Sequence, residues 1–300
     1  MILSPDDGGS LSMKLFHREF GGAGKQAPGG AGKPPLIIIH GLLGSSKNWQ
    51  TTAPELAHRF HVYAVDLRNH GGSPHAPEMT FPLLSADILE WADDRGLSSF
   101  SILGHSLGGK VAMRVACDAP ERVRALYVID IAPRDYGLGS RELEAMLKLD
   151  LQALTMRRDA EERLAADIPE VWARRFLLTN LVRRASGEFS WQPNLPVITA
   201  TLPAVRKTPL EPHERFAKPA LFVVGGKSQF VVEDDKAIIR RHFPQAKIVT
   251  LPRSGHFPHV EDRGGLVEAV IAFADAVDAA EAGGLVDPLA PGGSNGLDPV

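Results

Sequence analysis

Ser106 stands in the run Gly104-His105-Ser106-Leu107-Gly108, a G-x-S-x-G frame. The residues before it, Phe100–Gly104, read as a buried strand, and those after it, Leu107–Asp118, as a helix stopped near Pro120. Between a strand and a helix the frame predicts a sharp turn that exposes the Ser106 hydroxyl and points helix N–H groups at developing negative charge. Without those flanks the same residues would be a plain glycine turn. A serine hydroxyl is a weak nucleophile until a base takes its proton. The chain has 11 histidines, so position must choose among them. Ser254-Gly255-His256-Phe257 follows the last strand-like run, where a loop returns to the strand ends, and His256 is the expected base. His259, three residues on, is expected at the surface or in support. His40, His70 and His105 are expected to pack or hydrogen-bond within loops.

A base of this kind needs an acid to orient it. The loop after the run Ala220–Gly225 reads Gly225-Gly226-Lys227-Ser228-Gln229-Phe230 and holds no carboxylate. Glu233, Asp234 and Asp235 come later and suit a helix N-terminus. Asp130, in Val128-Ile129-Asp130-Ile131, sits in an apolar run where an unpaired carboxylate is costly. Asp130 is therefore the preferred acid, and the Glu233–Asp235 group is the alternative. Two backbone amides are expected to hold the oxyanion: Leu107, next to the serine, and Leu42, in His40-Gly41-Leu42-Leu43-Gly44. Together these residues could run acyl transfer through a covalent serine intermediate, with no metal or organic cofactor required. Asp66 and Arg68, in Asp66-Leu67-Arg68-Asn69-His70-Gly71-Gly72-Ser73, are read as a turn network rather than as catalytic groups.

The elements that must position these residues alternate along the chain. Strand-like runs at Met13–Phe20, Leu36–His40, His61–Leu67, Phe100–Gly104, Ala125–Ile131, Ala220–Gly225 and Ala246–Leu251 are interleaved with helical spacing at Phe81–Arg95, Leu107–Asp118, Glu233–Phe243 and Gly265–Ala279. That alternation predicts an α/β fold: a mostly parallel sheet flanked by helices. It breaks at Pro133. From there to Pro212 the pattern is helical, best at Leu143–Leu154 and Val171–Leu181, with no convincing buried strand. The expected organisation is a core of 12–132 and 213–279 with an insertion at 133–212. Gly21–Lys33 reads as a mobile loop, and the ends, 1–11 and 280–300, as disordered.

Composition excludes several classes. With 300 residues, 44% hydrophobic and 23% charged, the chain has the profile of a globular protein. No apolar run is long enough to span a bilayer, and the N-terminus lacks a secretory pattern. A net charge of −3 gives no electrostatic reason to bind nucleic acid. A single cysteine, Cys117, suits a reducing cytoplasm. A monomer or homodimer is expected.

HGLLGSSKNW (40–49), DLRNHGGSPH (66–75), GHSLGGKVAM (104–113), DIAP (130–133) and SGHFPHVE (254–261) together resemble the α/β-hydrolase superfamily. More narrowly, the combination of RNHG, GHSLGGK and DIAP resembles the YbfF-type esterases and their eukaryotic relatives, the α/β-hydrolase domain-containing proteins. The resemblance covers about residues 12–279. It implies an α/β-hydrolase fold and action on acyl esters or acyl thioesters, including acyl-CoA. It also implies that 133–212 is a helical cap, and that the acid follows the strand after the nucleophile helix, which matches Asp130. Trp172, Phe176, Leu177 and Leu178 are then candidates either for an apolar acyl pocket or for packing within the cap. From 171 to 210, six basic residues (Arg174, Arg175, Arg183, Arg184, Arg206, Lys207) against one acid, Glu188, are either a surface for acyl-CoA phosphates or a solvated helix face. Rival activities on this fold are a cofactor-free haloperoxidase or perhydrolase, a C–C bond hydrolase or lyase, and a non-catalytic ligand receptor.

Overall fold

The computed structural model describes residues 13–21, 32–137 and 139–283. The expected disordered ends and most of the 21–33 loop lie outside the described residues. Among the described residues, nine strands and ten α-helices follow in chain order. They are β1 (His17–Phe20), β2 (Pro35–Ile39), α1 (Ala53–Leu56), β3 (His61–Val65), α2 (Phe81–Asp93), β4 (Phe100–His105), α3 (Leu107–Asp118) and β5 (Val123–Ile129), then α4 (Arg141–Lys148), α5 (Arg157–Leu164), α6 (Val171–Leu178), β6 (Leu181–Arg183), β7 (Phe189–Trp191) and α7 (Leu195–Val205), then β8 (Ala220–Gly225), α8 (Asp235–His242), β9 (Ala246–Leu251), α9 (Pro258–Glu261) and α10 (Arg263–Gly283).

Seven strands form one sheet in the order β1-β3-β2-β4-β5-β8-β9. Only β1 runs antiparallel, along β3. The sheet is buried on both faces, so its central strands carry continuous apolar runs, as parallel strands must. Side chains alternate between two cores. Ile37 and Ile39 of β2 join one cluster with α2, α3 and α8, through Leu84, Ile88, Val111, Val115 and Ile239. Leu36 and Ile38 join the other with α1 and α10, through Leu56, Leu266, Val270 and Phe273. The strand order reverses around β2 and β4, and ligand crevices of open α/β sheets form outside the carboxyl ends of strands at such a point.

Between β5 and β8 the chain leaves the sheet, and two details differ from the helices expected there. The helix expected over Leu143–Leu154 ends at Lys148. The one expected over Val171–Leu181 ends at Leu178, and Leu181 instead opens β6, which pairs with β7 in an antiparallel hairpin. Three-residue strands carry too little alternation to be seen in the sequence. The hairpin is stable because it is anchored: Trp191 Nε1 donates to the Met146 carbonyl at 2.9 Å, tying it to the end of α4.

Candidate active site

Ser106 joins β4 to α3 with φ 51° and ψ −118°. That left-handed backbone is strained for a residue with a Cβ and costs roughly 1–3 kcal/mol. Two glycines make the turn possible. A Cβ at Gly104 would lie 2.1 Å from the Gly108 carbonyl oxygen, and one at Gly108 would lie 2.4 Å from the Ile39 carbonyl oxygen. α3 therefore sits hard against β4 and β2, and its first turn faces the strand ends.

The structure brings the three predicted side chains together. His256 Nε2 lies 3.1 Å from Ser106 Oγ, and His256 Nδ1 lies 2.7 Å from Asp130 Oδ2. Asp130 is buried, with its side chain 0% exposed against 19% for His256. It is not within the strand as expected. β5 ends at Ile129, and Asp130 follows with φ 51°. Its N–H still donates to the Val223 carbonyl at 2.9 Å, so the turn stays tied to β8 while the carboxylate swings toward His256. Of the alternative acids, Asp234 is exposed and the other two are engaged elsewhere. Exposed Glu233 pairs with Lys236 at 2.6 Å. Asp235 pairs with Arg134 at 2.7 Å and accepts from the Val232 N–H.

Ser228, in the loop that lacks a carboxylate, donates its Oγ–H to Asp130 Oδ2, and the Gly225 N–H donates to Oδ1 at 2.9 Å. Phe230 from the same loop stacks on the His256 ring, with centroids 3.7 Å apart. A hydroxyl and an aromatic ring in a turn leave no signal specific enough to find in sequence.

Leu42 and Leu107 both border the cavity at Ser106, and among the described residues neither amide donates a hydrogen bond. The Leu42 loop is held by a turn, Gly44 N–H to the Gly41 carbonyl at 2.9 Å. It is also held from the β5–β8 segment, where buried Asn180 donates Nδ2–H to the Leu43 carbonyl at 2.7 Å. Asn180 is a positioning group the sequence pattern does not reveal.

The cavity, about 290 Å³, is bordered by Ser106, His256, Trp172, Ala173, Phe176, Leu202 and Val205 among others. Trp172 is 52% exposed and meets Phe257 edge to face at 4.8 Å. Leu177 does not border the cavity. It is fully buried in the apolar core, because on α6 it points away from the face carrying Trp172, Ala173 and Phe176.

Other buried histidines near Ser106 are held by hydrogen bonds and packing. His40 donates Nδ1–H to the Gly41 carbonyl and accepts the Leu67 N–H at Nε2, which fixes a neutral ring. His105 donates Nε2–H to the His256 carbonyl at 2.7 Å and so holds the loop that carries His256. His259 is buried, not at the surface, and stacks on Trp49 at 4.6 Å. Burial is the main cause that pulls down the pKa of His40 to about 4 and of His70 and His259 to about 3, and it holds His105 well below its ordinary value. In the unfolded chain each returns to about 6.5. The unfolded state then binds more protons below pH 6.5, so stability is full above that pH and falls as pH drops toward 4. Each group adds a slope of about 1.4 kcal/mol per pH unit. The urea midpoint is expected to be level above pH 7 and to fall between pH 6.5 and 4 with a slope of more than one proton. A flat midpoint over that range would refute buried neutral histidines.

Asp66 and Arg68 behave as the expected turn network. Asp66 accepts from the Ser46 and Gly72 amides, and Arg68 forms a two-pronged pair with Asp87 of α2, both bonds 2.6 Å. Burial raises the Cys117 thiol to about 12.

Comparison with known proteins identifies the fold family. Residues 34–263 match the model of the alpha/beta hydrolase fold family. The chain is 35% identical over 254 residues to the mouse (Mus musculus) sn-1-specific diacylglycerol lipase ABHD11, covering 82% of each. It is 32% identical over 244 residues to the Escherichia coli esterase YbfF, covering 79% of this chain and 91% of that one. A solved marine microorganism esterase superposes with a TM-score of 0.81 at 34% identity, over 87% of this chain and 100% of the other. The chain belongs to the α/β hydrolase fold family.

Proposed function

We propose that this protein is a carboxylic ester hydrolase that cleaves small acyl esters or acyl thioesters, acyl-CoA among them, through an acyl-serine. Ser106 Oγ attacks the acyl carbonyl while His256 Nε2 takes its proton. Asp130 holds the imidazole and stabilises its cation. The Leu42 and Leu107 amides bind the tetrahedral oxyanion. His256 then protonates the departing alcohol or thiol, and a water activated the same way releases the acid and restores Ser106. The segment 133–212 acts as a cap, with Trp172 and Phe176 forming part of the acyl-binding wall.

The observation that carries this reading is the unbroken relay from Ser106 Oγ through His256 to Asp130, opening on a cavity with apolar walls. The esterase and lipase names of the relatives favour esters over the other chemistries of the fold. The test is a fluorophosphonate probe with p-nitrophenyl butyrate. One probe per chain should attach at Ser106, and turnover should fall in step with labelling. Attachment elsewhere, or attachment to a protein that turns over no ester, would refute the proposal; the second result would favour a ligand receptor.

A further inference from the structure

Six basic residues lie between 171 and 210, and the fold separates them. Arg174 donates to the Ile168 and Pro169 carbonyls, and Arg183 to the Gly187 carbonyl. Arg184 donates to Ser190 Oγ, Arg175 stands 3.9 Å from Glu161, and Lys207 pairs with Asp135 at 2.8 Å. Of the six, only Arg206 borders the cavity that holds Ser106 and His256.

Arg206 is firmly rooted. Its N–H donates to the Leu202 carbonyl at 3.0 Å, and its own carbonyl accepts from the Tyr136 N–H at 2.8 Å and from Lys110 Nζ at 3.1 Å. Lys110 lies one turn behind Ser106 on α3. Its other two bonds go to the Arg134 and Lys207 carbonyls, so it ties the start and the end of the β5–β8 segment to the nucleophile helix. That leaves the Lys110 ammonium satisfied by three carbonyls.

The Arg206 guanidinium is not satisfied in this way. Among the described residues it makes one hydrogen bond, Nη2–H to the Gly139 carbonyl at 2.5 Å, and no carboxylate stands within ion-pair distance. Glu142 borders the same cavity but stands 3.7 Å from Arg141 and accepts from Ser140 Oγ. Leu202, Val205 and Phe176 border the same cavity. Desolvation pulls the Arg206 pKa below its ordinary value, and the Glu142 charge, which acts the other way, only partly offsets it. A planar fork of donors at the edge of the cavity that holds Ser106 matches the oxygen pairs of a carboxylate or a phosphate.

We infer that Arg206 is a specificity-determining residue that binds an oxyanion of the substrate, a carboxylate or a phosphate carried away from the scissile bond. The inference rests on the ester-hydrolase reading and narrows its substrates to anionic esters or thioesters. The experiment compares kcat/KM for matched pairs. Monoethyl adipate against ethyl hexanoate places a carboxylate on the acyl side. 4-Phosphobutyl butyrate against pentyl butyrate places a phosphate on the alcohol side. In the wild type at least one anionic ester should exceed its neutral partner by about tenfold or more, the range of a charge-assisted bond. In Arg206→Met that ratio should fall close to one, and Arg206→Lys should keep part of it. Taking the ratio within each variant cancels any general loss of activity or folded fraction. The pair that responds separates carboxylate from phosphate. A wild-type ratio near one for both pairs, or a ratio unchanged in Arg206→Met, overturns the inference. Should the wild type turn over no ester, the hydrolase reading falls by itself. Calorimetry of adipate and inorganic phosphate against Ser106→Ala and Ser106→Ala/Arg206→Met then decides on Arg206: binding lost with the guanidinium supports it, and binding absent or indifferent to it overturns it.

Discussion

Ser106→Ala is expected to lower kcat for p-nitrophenyl butyrate by about 10⁵-fold or more while leaving the protein folded. The magnitude follows from the unit character of a serine relay: without the attacking oxygen, His256 and Asp130 have no proton to move, and only binding and oxyanion contacts remain. The stability expectation is specific to this turn. The strain at Ser106 comes from its φ of 51° and the presence of a Cβ, and alanine has the same Cβ. The only side-chain hydrogen bond lost is the 3.1 Å contact with His256 Nε2, at the cavity wall. Thermal unfolding should therefore shift by no more than about 0.5 kcal/mol in equivalent stability. Turnover above one part in a hundred of wild type, in protein with an unchanged unfolding curve, would remove Ser106 from the nucleophile role.

The strands and the serine turn are legible in the sequence for physical reasons. Leu36–Ile39 and Ala220–Gly225 are apolar without interruption because both faces of the sheet are covered, and that pattern survives without knowledge of the neighbours. Gly104 and Gly108 are readable because backbone stands where their side chains would be. Asp130 is readable because a carboxylate in an apolar run must find a partner, although the run does not say that the residue turns out of the strand. What escapes is whatever depends on long-range approach. Asn180 reaches the Leu43 carbonyl across 137 positions, and Ser228 reaches Asp130 across 98. Nothing local distinguishes either from a surface polar residue. The basic stretch 171–210 fails for the opposite reason. Its charges are adjacent in sequence, but the turns after α6 and α7 send them to different partners, and one guanidinium is left at the cavity.

Asp130→Asn is expected to lower kcat by about 10⁴-fold, and the hydrogen bonds around the carboxylate say why. Oδ1 accepts the Gly225 N–H, while Oδ2 accepts from Ser228 Oγ and from His256 Nδ1. An asparagine must keep its oxygen at the Oδ1 position, since its amide group there would face the Gly225 N–H donor to donor. That places NH₂ at the Oδ2 position, against His256 Nδ1. The ring must then accept at Nδ1 and carry its proton on Nε2, the nitrogen facing Ser106. In that tautomer it cannot take the serine proton. The shape of the side chain is nearly unchanged, so the loss should fall on kcat and spare KM. Glu233→Gln supplies the contrast: its carboxylate is exposed and paired with Lys236, and its removal should leave kcat within about twofold, as for surface substitutions generally. Ser228→Ala should fall between the two, because Oδ2 would lose one of two donors but keep its bond to the imidazole. A kcat that survives in Asp130→Asn and collapses in Glu233→Gln would place the acid after β8 and require His256 to be oriented from there.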